Sequence, residues 1–213
     1  MHFHIVTLFP DSFESYLGES IIKRAVLDKK IKVTFYNPRD FTKDKFKRVD
    51  QKPYGGGPGM VLEAESVLRA ATKAIGRKNR RHVKVIFFEP GGTQFNTSYA
   101  DKVSKQCKHI IMICGRYEGI DARVKMILRA EAVTVGPYTL TGGELPAMLV
   151  LDCVTRRLPG VLGSDKSVEE RRVSSNEVYT RPEALHWKGK NYRVPKVLLS
   201  GNHNEIEKWK KCH

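Results

Sequence analysis

The sequence is short of several things, and each shortage excludes a class of protein. Its four cysteines, Cys107, Cys114, Cys153 and Cys212, form no CxxC pair and have no histidines at matching spacing. A disulfide framework or zinc finger is not expected, and no metal ligand is assigned from the sequence. No apolar run is long enough to span a membrane, and Met1-His-Phe-His-Ile-Val lacks a signal-peptide layout. A cytoplasmic protein without membrane contact is expected. Acidic residues are scarce too: 23 Asp and Glu face 38 Lys and Arg, a formal net charge of +15. Such an excess favours a polyanionic partner, because cations that neutralise phosphates gain from counterion release. Without a basic amphipathic helix bearing a Trp/Leu face, nucleic acid leads a membrane surface.

What is present suits a globular chain of 213 residues, with 40% hydrophobic residues and no internal repeat. Apolar runs predict strands over 3–9, 31–36, 83–88, 109–114 and 131–135. Helical spacing covers 11–29 (with Asp11 as cap), 63–75, 98–107, 122–128 and 145–158. Strands that alternate with helices and read as continuous apolar runs indicate an α/β fold with a parallel sheet. The character changes after Pro159-Gly160. Residues 1–160 read as the main domain, 161–175 as a charged linker or lid, and 176–213 as a small basic C-terminal module.

Three strands end in glycine-rich loops: Glu89-Pro-Gly-Gly92, Gly115-Arg-Tyr-Glu-Gly119 and Gly136-Pro-Tyr-Thr-Leu-Thr-Gly-Gly143. In α/β sheets, ligands gather beyond the carboxyl ends of strands, and glycine lets the main chain approach them closely. None of the three is GxGxxG opening a helix or GxxxxGK[ST], so the usual dinucleotide and P-loop readings lose support. Three such loops could jointly hold a nucleoside. Pro53-Tyr-Gly-Gly-Gly-Pro-Gly-Met60 reads as a shaped loop. Arg39, Lys43, Lys45, Lys47 and Arg48, with Phe41 and Phe46 interleaved, fit either base stacking with phosphate contacts or a solvated loop with its rings turned inward. Arg156, one turn after Asp152, reads by default as half of a surface ion pair, and His203 as a satisfied loop histidine.

At these residues the chain resembles the bacterial tRNA (guanine-N1)-methyltransferases of the TrmD family. The matching segments include Cys114-Gly-Arg-Tyr-Glu-Gly-Ile-Asp121, Gly142-Gly-Glu-Leu-Pro-Ala147, Leu158-Pro-Gly-Val-Leu-Gly163, Tyr179-Thr-Arg-Pro182 and Val197-Leu-Leu-Ser-Gly-Asn-His203. The resemblance implies a SPOUT methyltransferase with a deep trefoil knot, a homodimer, and S-adenosylmethionine bent into the knot. It further implies tRNA rather than DNA as partner, the guanine 3′ of the anticodon as target, and Mg²⁺ as an aid whose site is unknown.

By position it assigns the cofactor pocket to Phe88, Glu89, Pro90, Gly91, Cys114, Gly115, Arg116, Tyr117, Glu118, Gly119, Val135, Gly136, Tyr138, Leu140, Gly142, Gly143 and Pro146. Glu118 corresponds to the acidic residue near the methionine end. Arg156 corresponds to the arginine that balances charge on the guanine. Tyr179, Arg181, Ser200, Asn202 and His203 resemble the tRNA-contacting module, which is expected to be small and helical.

The chain departs from the family at the general base. The family's linker aspartate falls on Arg171, leaving Glu170 as the candidate base and Glu169 as a weaker one; Pro137 also replaces an aspartate. The departure keeps two alternatives open. One is a cofactor-binding RNA-binding protein without catalysis, and the other a SPOUT enzyme acting on a different RNA.

Overall fold

The computed structural model describes residues 1–163 and 175–212. In chain order its strands are β1 (His2–Val6), β2 (Lys32–Tyr36), β3 (Asp50–Gln51), β4 (Val61–Leu62), β5 (Val83–Gln94), β6 (His109–Ile113), β7 (Glu131–Thr134), β8 (Ala184–Trp187) and β9 (Lys190–Arg193). The helices are α1 (Glu14–Leu17), α2 (Ser20–Leu27), α3 (Ala64–Ile75), α4 (Thr97–Gln106), α5 (Ala122–Leu128), α6 (Glu144–Thr155), α7 (Lys196–Leu199) and α8 (His203–Cys212). They group into two compact units, Met1–Leu162 and Gly163–His213.

The first unit is built on a five-stranded sheet in the order β2-β1-β6-β5-β7, parallel throughout. Alternation along each strand divides the core between its two faces. Phe3, Ile5, Ile86, Ile110 and Met112 pack with α2, α4 and α6 on one side. Val6, Val85, Phe87, Ile111 and Ile113 pack with α3 and α5 on the other. Because both faces are covered, the strands read as unbroken apolar runs, which is why the parallel sheet is legible in the sequence. Helix α6 is central: Ala147, Val150, Leu151 and Val154 are each fully buried. Truncating such a leucine to alanine typically costs about 2–5 kcal/mol.

Three expectations need correction. Asp11 does not cap a long helix. The segment opens with a 3₁₀ turn, Pro10–Phe13, whose preceding residue Phe9 makes no side-chain cap, and it breaks at Gly18 before α2. The third strand does not stop at Phe88. It continues to Gln94 after a bulge, so that Phe88 and Thr93 both face Val133. A Cβ on Gly92 would lie 2.5 Å from the Val133 nitrogen, so only glycine permits this close return.

The C-terminal unit is also not purely helical. It contains an antiparallel hairpin, β8–β9, turning at Lys188 and Gly189, both at positive φ. Two such residues make the tight turn whose twist suits a hairpin. Helices α7 and α8 follow.

Candidate functional site

Parallel neighbours β5, β6 and β7 send their carboxyl ends the same way, so the three glycine loops converge. They enclose a cavity of about 250 Å³. Its lining includes Phe88, Glu89, Pro90, Gly115, Arg116, Tyr117, Glu118, Gly119, Val135, Tyr138, Leu140, Gly142, Gly143 and Pro146. Thr139, within the third glycine loop, lines it as well, and so do Val133 and Thr134, neither of which was anticipated. The end of β7 contributes wall as well as loop.

Gly91, Cys114 and Gly136 are not part of the lining. Gly91 is exposed on the bulge, and the Tyr138 ring lies over Gly136. Cys114 is buried beneath the loops, and burial pushes its thiol well above the usual range, with the nearby Glu144 charge acting the same way. It stays a protonated packing group rather than a nucleophile.

Specific contacts brace the loops. A Cβ on Gly143 would lie 2.6 Å from the Cys114 Cα, and the Gly143 N–H donates to the Gly115 carbonyl at 3.0 Å. The loop after β6 and the start of α6 therefore touch backbone to backbone. On the bulge, Glu89 receives the Lys125 ammonium from α5 at 2.7 and 2.8 Å.

Glu144, the first residue of α6, is 3% exposed and was not singled out as a site residue. Its Oε1 accepts from the Thr7 hydroxyl at 2.7 Å, tying the end of β1 to the helix. Its Oε2 lies 2.9 Å from Nε of Arg116, an ion pair without hydrogen-bond alignment, so both atoms are buried with no hydrogen-bond partner. The positive end of the helix dipole adds to the attraction on the carboxylate. The Arg116 guanidinium also sits over the Phe9 ring at 4.6 Å. A buried acid directly following two glycines was the available sequence signal.

Glu118 is held by its backbone: its N–H donates to the Met60 carbonyl at 3.0 Å, and the Leu62 N–H donates to Gly119 at 3.0 Å. The Pro53–Met60 loop thus packs beside the cavity wall, with the Glu118 side chain against Gly59. Tyr117 adopts φ of 60°, a left-handed conformation that costs a non-glycine residue about 1–2 kcal/mol.

This geometry can be set beside known proteins. A family model described as tRNA (Guanine-1)-methyltransferase TrmD matches residues 1–213. The chain belongs to the TrmD family. A tRNA (guanine-N(1)-)-methyltransferase of Clostridioides difficile is 42% identical over 215 residues, covering 99% of this chain and 91% of the relative. One from Buchnera aphidicola is 42% identical over 98% of this chain and 87% of its own length. A third, from Caldanaerobacter subterraneus, is 45% identical over 99% and 86%.

Other residues singled out by the TrmD resemblance are not among those that line the cavity. Arg156 caps the far end of α6, about 18 Å from Glu144 at 1.5 Å per residue over 12 residues. Glu169, Glu170 and Arg171 fall outside the described residues. In the second unit, the exposed Tyr179 donates its hydroxyl to Glu177 at 2.8 Å, and its ring lies 6.2 Å from that of Trp209. Arg181 is exposed. Ser200 and Asn202 shape the start of α8: the Asn202 Oδ1 accepts from the N–H of Asn204, and the Ser200 hydroxyl oxygen accepts from that of Asn202. His203 lies within α8 rather than in a loop.

The basic segment divides between its two readings. Phe41 packs toward the core, whereas Phe46 is 73% exposed with Arg48 over its ring. Among the described residues no helix is long and apolar enough to cross a membrane.

Proposed function

We propose that the cavity binds S-adenosylmethionine and that the chain methylates N1 of the guanine 3′ of the anticodon in tRNA. The observation that carries this reading is the convergence of three glycine loops at the carboxyl end of a parallel sheet in a TrmD-family chain. The residues fit the ligand. Apolar walls from Phe88, Val133, Leu140 and Pro146 suit an adenine, and glycine backbone supplies donors and acceptors. Glu118 and Arg116 offer opposite charges to an amino-acid end. Bound there, S-adenosylmethionine supplies an activated methyl on sulfur.

Guanine N1 carries a proton, so a base must take it before N1 can act as nucleophile. Glu170 is the candidate base and Glu169 the substitute, both within residues 161–175. Arg156 stabilises the negative charge delocalised onto O6, a type of contribution typically worth about 10²–10³ in rate. Holding N1 in line with the methyl adds the proximity term.

The distance of Arg156 from its own cavity favours a homodimer in which it serves the partner's guanine. An apolar hollow beside the cavity, lined by Tyr16, Val135, Leu145, Met148 and Leu149, suits the dimer surface. The close backbone approaches at Gly92 and Gly143 are compatible with the trefoil knot that the family implies. Tyr179, Arg181, Ser200, Asn202 and His203, in the module of residues 176–213, approach the tRNA. Mg²⁺ would aid the reaction. The reaction runs in the cytoplasm, where tRNA is found.

Labelled S-adenosylmethionine with tRNA transcripts differing only at the guanine 3′ of the anticodon tests the reading. Label should enter the guanine transcript alone; equal incorporation into both overturns the specificity. A second reading, RNA binding without catalysis, is favoured by Arg171 at the family's base position. It predicts cofactor and tRNA binding with no turnover, and no change on Glu170→Gln or Glu169→Gln.

A further inference from the structure

We propose that His2, His4 and His109 form a site for a borderline transition-metal dication of the Zn²⁺ type, at the amino-terminal edge of the sheet. The site is separate from the cavity at the carboxyl ends. Parallel register makes it. His2 and His109 are direct partners across β1 and β6, and His4 lies two residues further along the same strand face.

One nitrogen from each ring lies within 4.8 Å of the others. The closest pair, Nε2 of His4 and Nδ1 of His109, is 3.2 Å apart. Two nitrogens on a tetrahedral zinc, with bonds of about 2.0–2.1 Å, stand about 3.3 Å apart. His4 and His109 thus stand close to what coordination needs, and the half-buried His2 ring, within 4.8 Å of both, would turn to complete the set.

Outer contacts hold the rings. The Tyr36 hydroxyl lies 3.0 Å from Nδ1 of His4, and the Thr34 hydroxyl lies 2.8 Å from Nε2 of His2. With Nδ1 of His4 donating to Tyr36, its Nε2 keeps the lone pair that faces His109, the usual outer-shell arrangement of a metal-bound imidazole. The His2 and His4 rings stack at 3.8 Å.

The surroundings also select the class of ion. The trio contains no carboxylate, and Lys32 and Lys78 place positive charge nearby. A hard cation such as Mg²⁺, held by charge and oxygen, is poorly served. Imidazole donors suit zinc, copper or nickel. Burial, the first cause for each, holds all three imidazoles below their ordinary pKa, and Lys78 acts the same way on every one. His4 is fully buried, whereas His2 and His109 are half-buried, leaving a route for the ion and a fourth position for water.

The test uses the untagged full chain, stripped with chelator and titrated with Co²⁺ and then Zn²⁺. One equivalent of Co²⁺ should give a tetrahedral visible spectrum that Zn²⁺ displaces, and Tm should rise with Zn²⁺ concentration. His2→Asn and His109→Asn should each lose the spectrum and weaken binding at least tenfold. Absence of stoichiometric binding, or a spectrum that persists in both variants, overturns the proposal. Should either variant misfold by circular dichroism, labelling of the wild type by diethyl pyrocarbonate decides. Zn²⁺ should protect His2 and His109 while His186 and His203 remain reactive; labelling of His2 and His109 that Zn²⁺ leaves unchanged refutes the site.

Discussion

Removing Arg116 should destabilise the protein more than removing the charge of Glu144, although the two are partners. The side chain of Glu144 is 4% exposed and that of Arg116 is 26%. In Glu144→Gln the guanidinium can turn toward solvent, the Thr7 hydroxyl keeps an oxygen to donate to, and the loss should be about 1–2 kcal/mol. In Arg116→Met a carboxylate is left in the interior with the Thr7 hydroxyl as its side-chain donor. Stranding a buried charge in this way costs about 3–5 kcal/mol. Combining the two removes the stranded charge, so the double variant should be more stable than Arg116→Met alone, with a coupling of about 2–3 kcal/mol that exceeds the Glu144→Gln loss. Urea unfolding followed by far-UV circular dichroism reads these differences as shifts in midpoint at constant m. Tryptophan emission would report the wrong unit, since Trp187 and Trp209 both lie in Gly163–His213. Equal losses in the two single variants, or zero coupling, would refute the reasoning that unequal burial sets the energetics of this pair.

Gly143→Ala should weaken S-adenosylmethionine binding at least tenfold by calorimetry, because the new methyl meets the Cys114 backbone at 2.6 Å and cannot be relieved by a rotamer change. Tyr16 is a pH probe: its hydrogen bond to Asp152 raises its pKa to about 12, from 10.0. A raised folded-state value stabilises below pH 10 and is lost as pH climbs toward 12, so the advantage of wild type over Tyr16→Phe in thermal melts should vanish over that window. Leu145→Lys, at a leucine 59% exposed beside the apolar hollow, should convert a dimer to a 24.2 kDa monomer in sedimentation. Retention of the dimer would exclude that surface.

Most of the sheet was legible because β5, β6 and β1 are buried on both faces and must be apolar throughout. The bulge was not: Glu89-Pro-Gly-Gly92 has loop chemistry, and its return to pairing depends on Val133, forty residues on. The hairpin β8–β9 did carry a signal in Lys188-Gly189, but its strands are exposed and lack the apolar run that marks a core strand. At the site, glycine spacing pointed to the loops, whereas Glu144 needed Thr7 and Arg116 to be seen as buried and paired. The histidine trio was invisible for a similar reason. Only strand register brings residue 109 beside residues 2 and 4.

The strand order also sets a timetable for synthesis. β6 lies between β1 and β5, so β1 has an open edge until residues 109–113 have been made. At about 5–20 residues per second, that edge waits roughly 5–20 s after β1 leaves the ribosomal tunnel. If β1 pairs with β2 in that interval, Phe3, Ile5 and Val6 would lie on a short apolar strand with unpaired N–H and C=O groups on one side, the kind of edge that pairs with other chains. The nascent chain is therefore most exposed to misassembly before its central strand exists, and a chaperone that shields its first hundred residues would raise yield more than one acting on the finished protein.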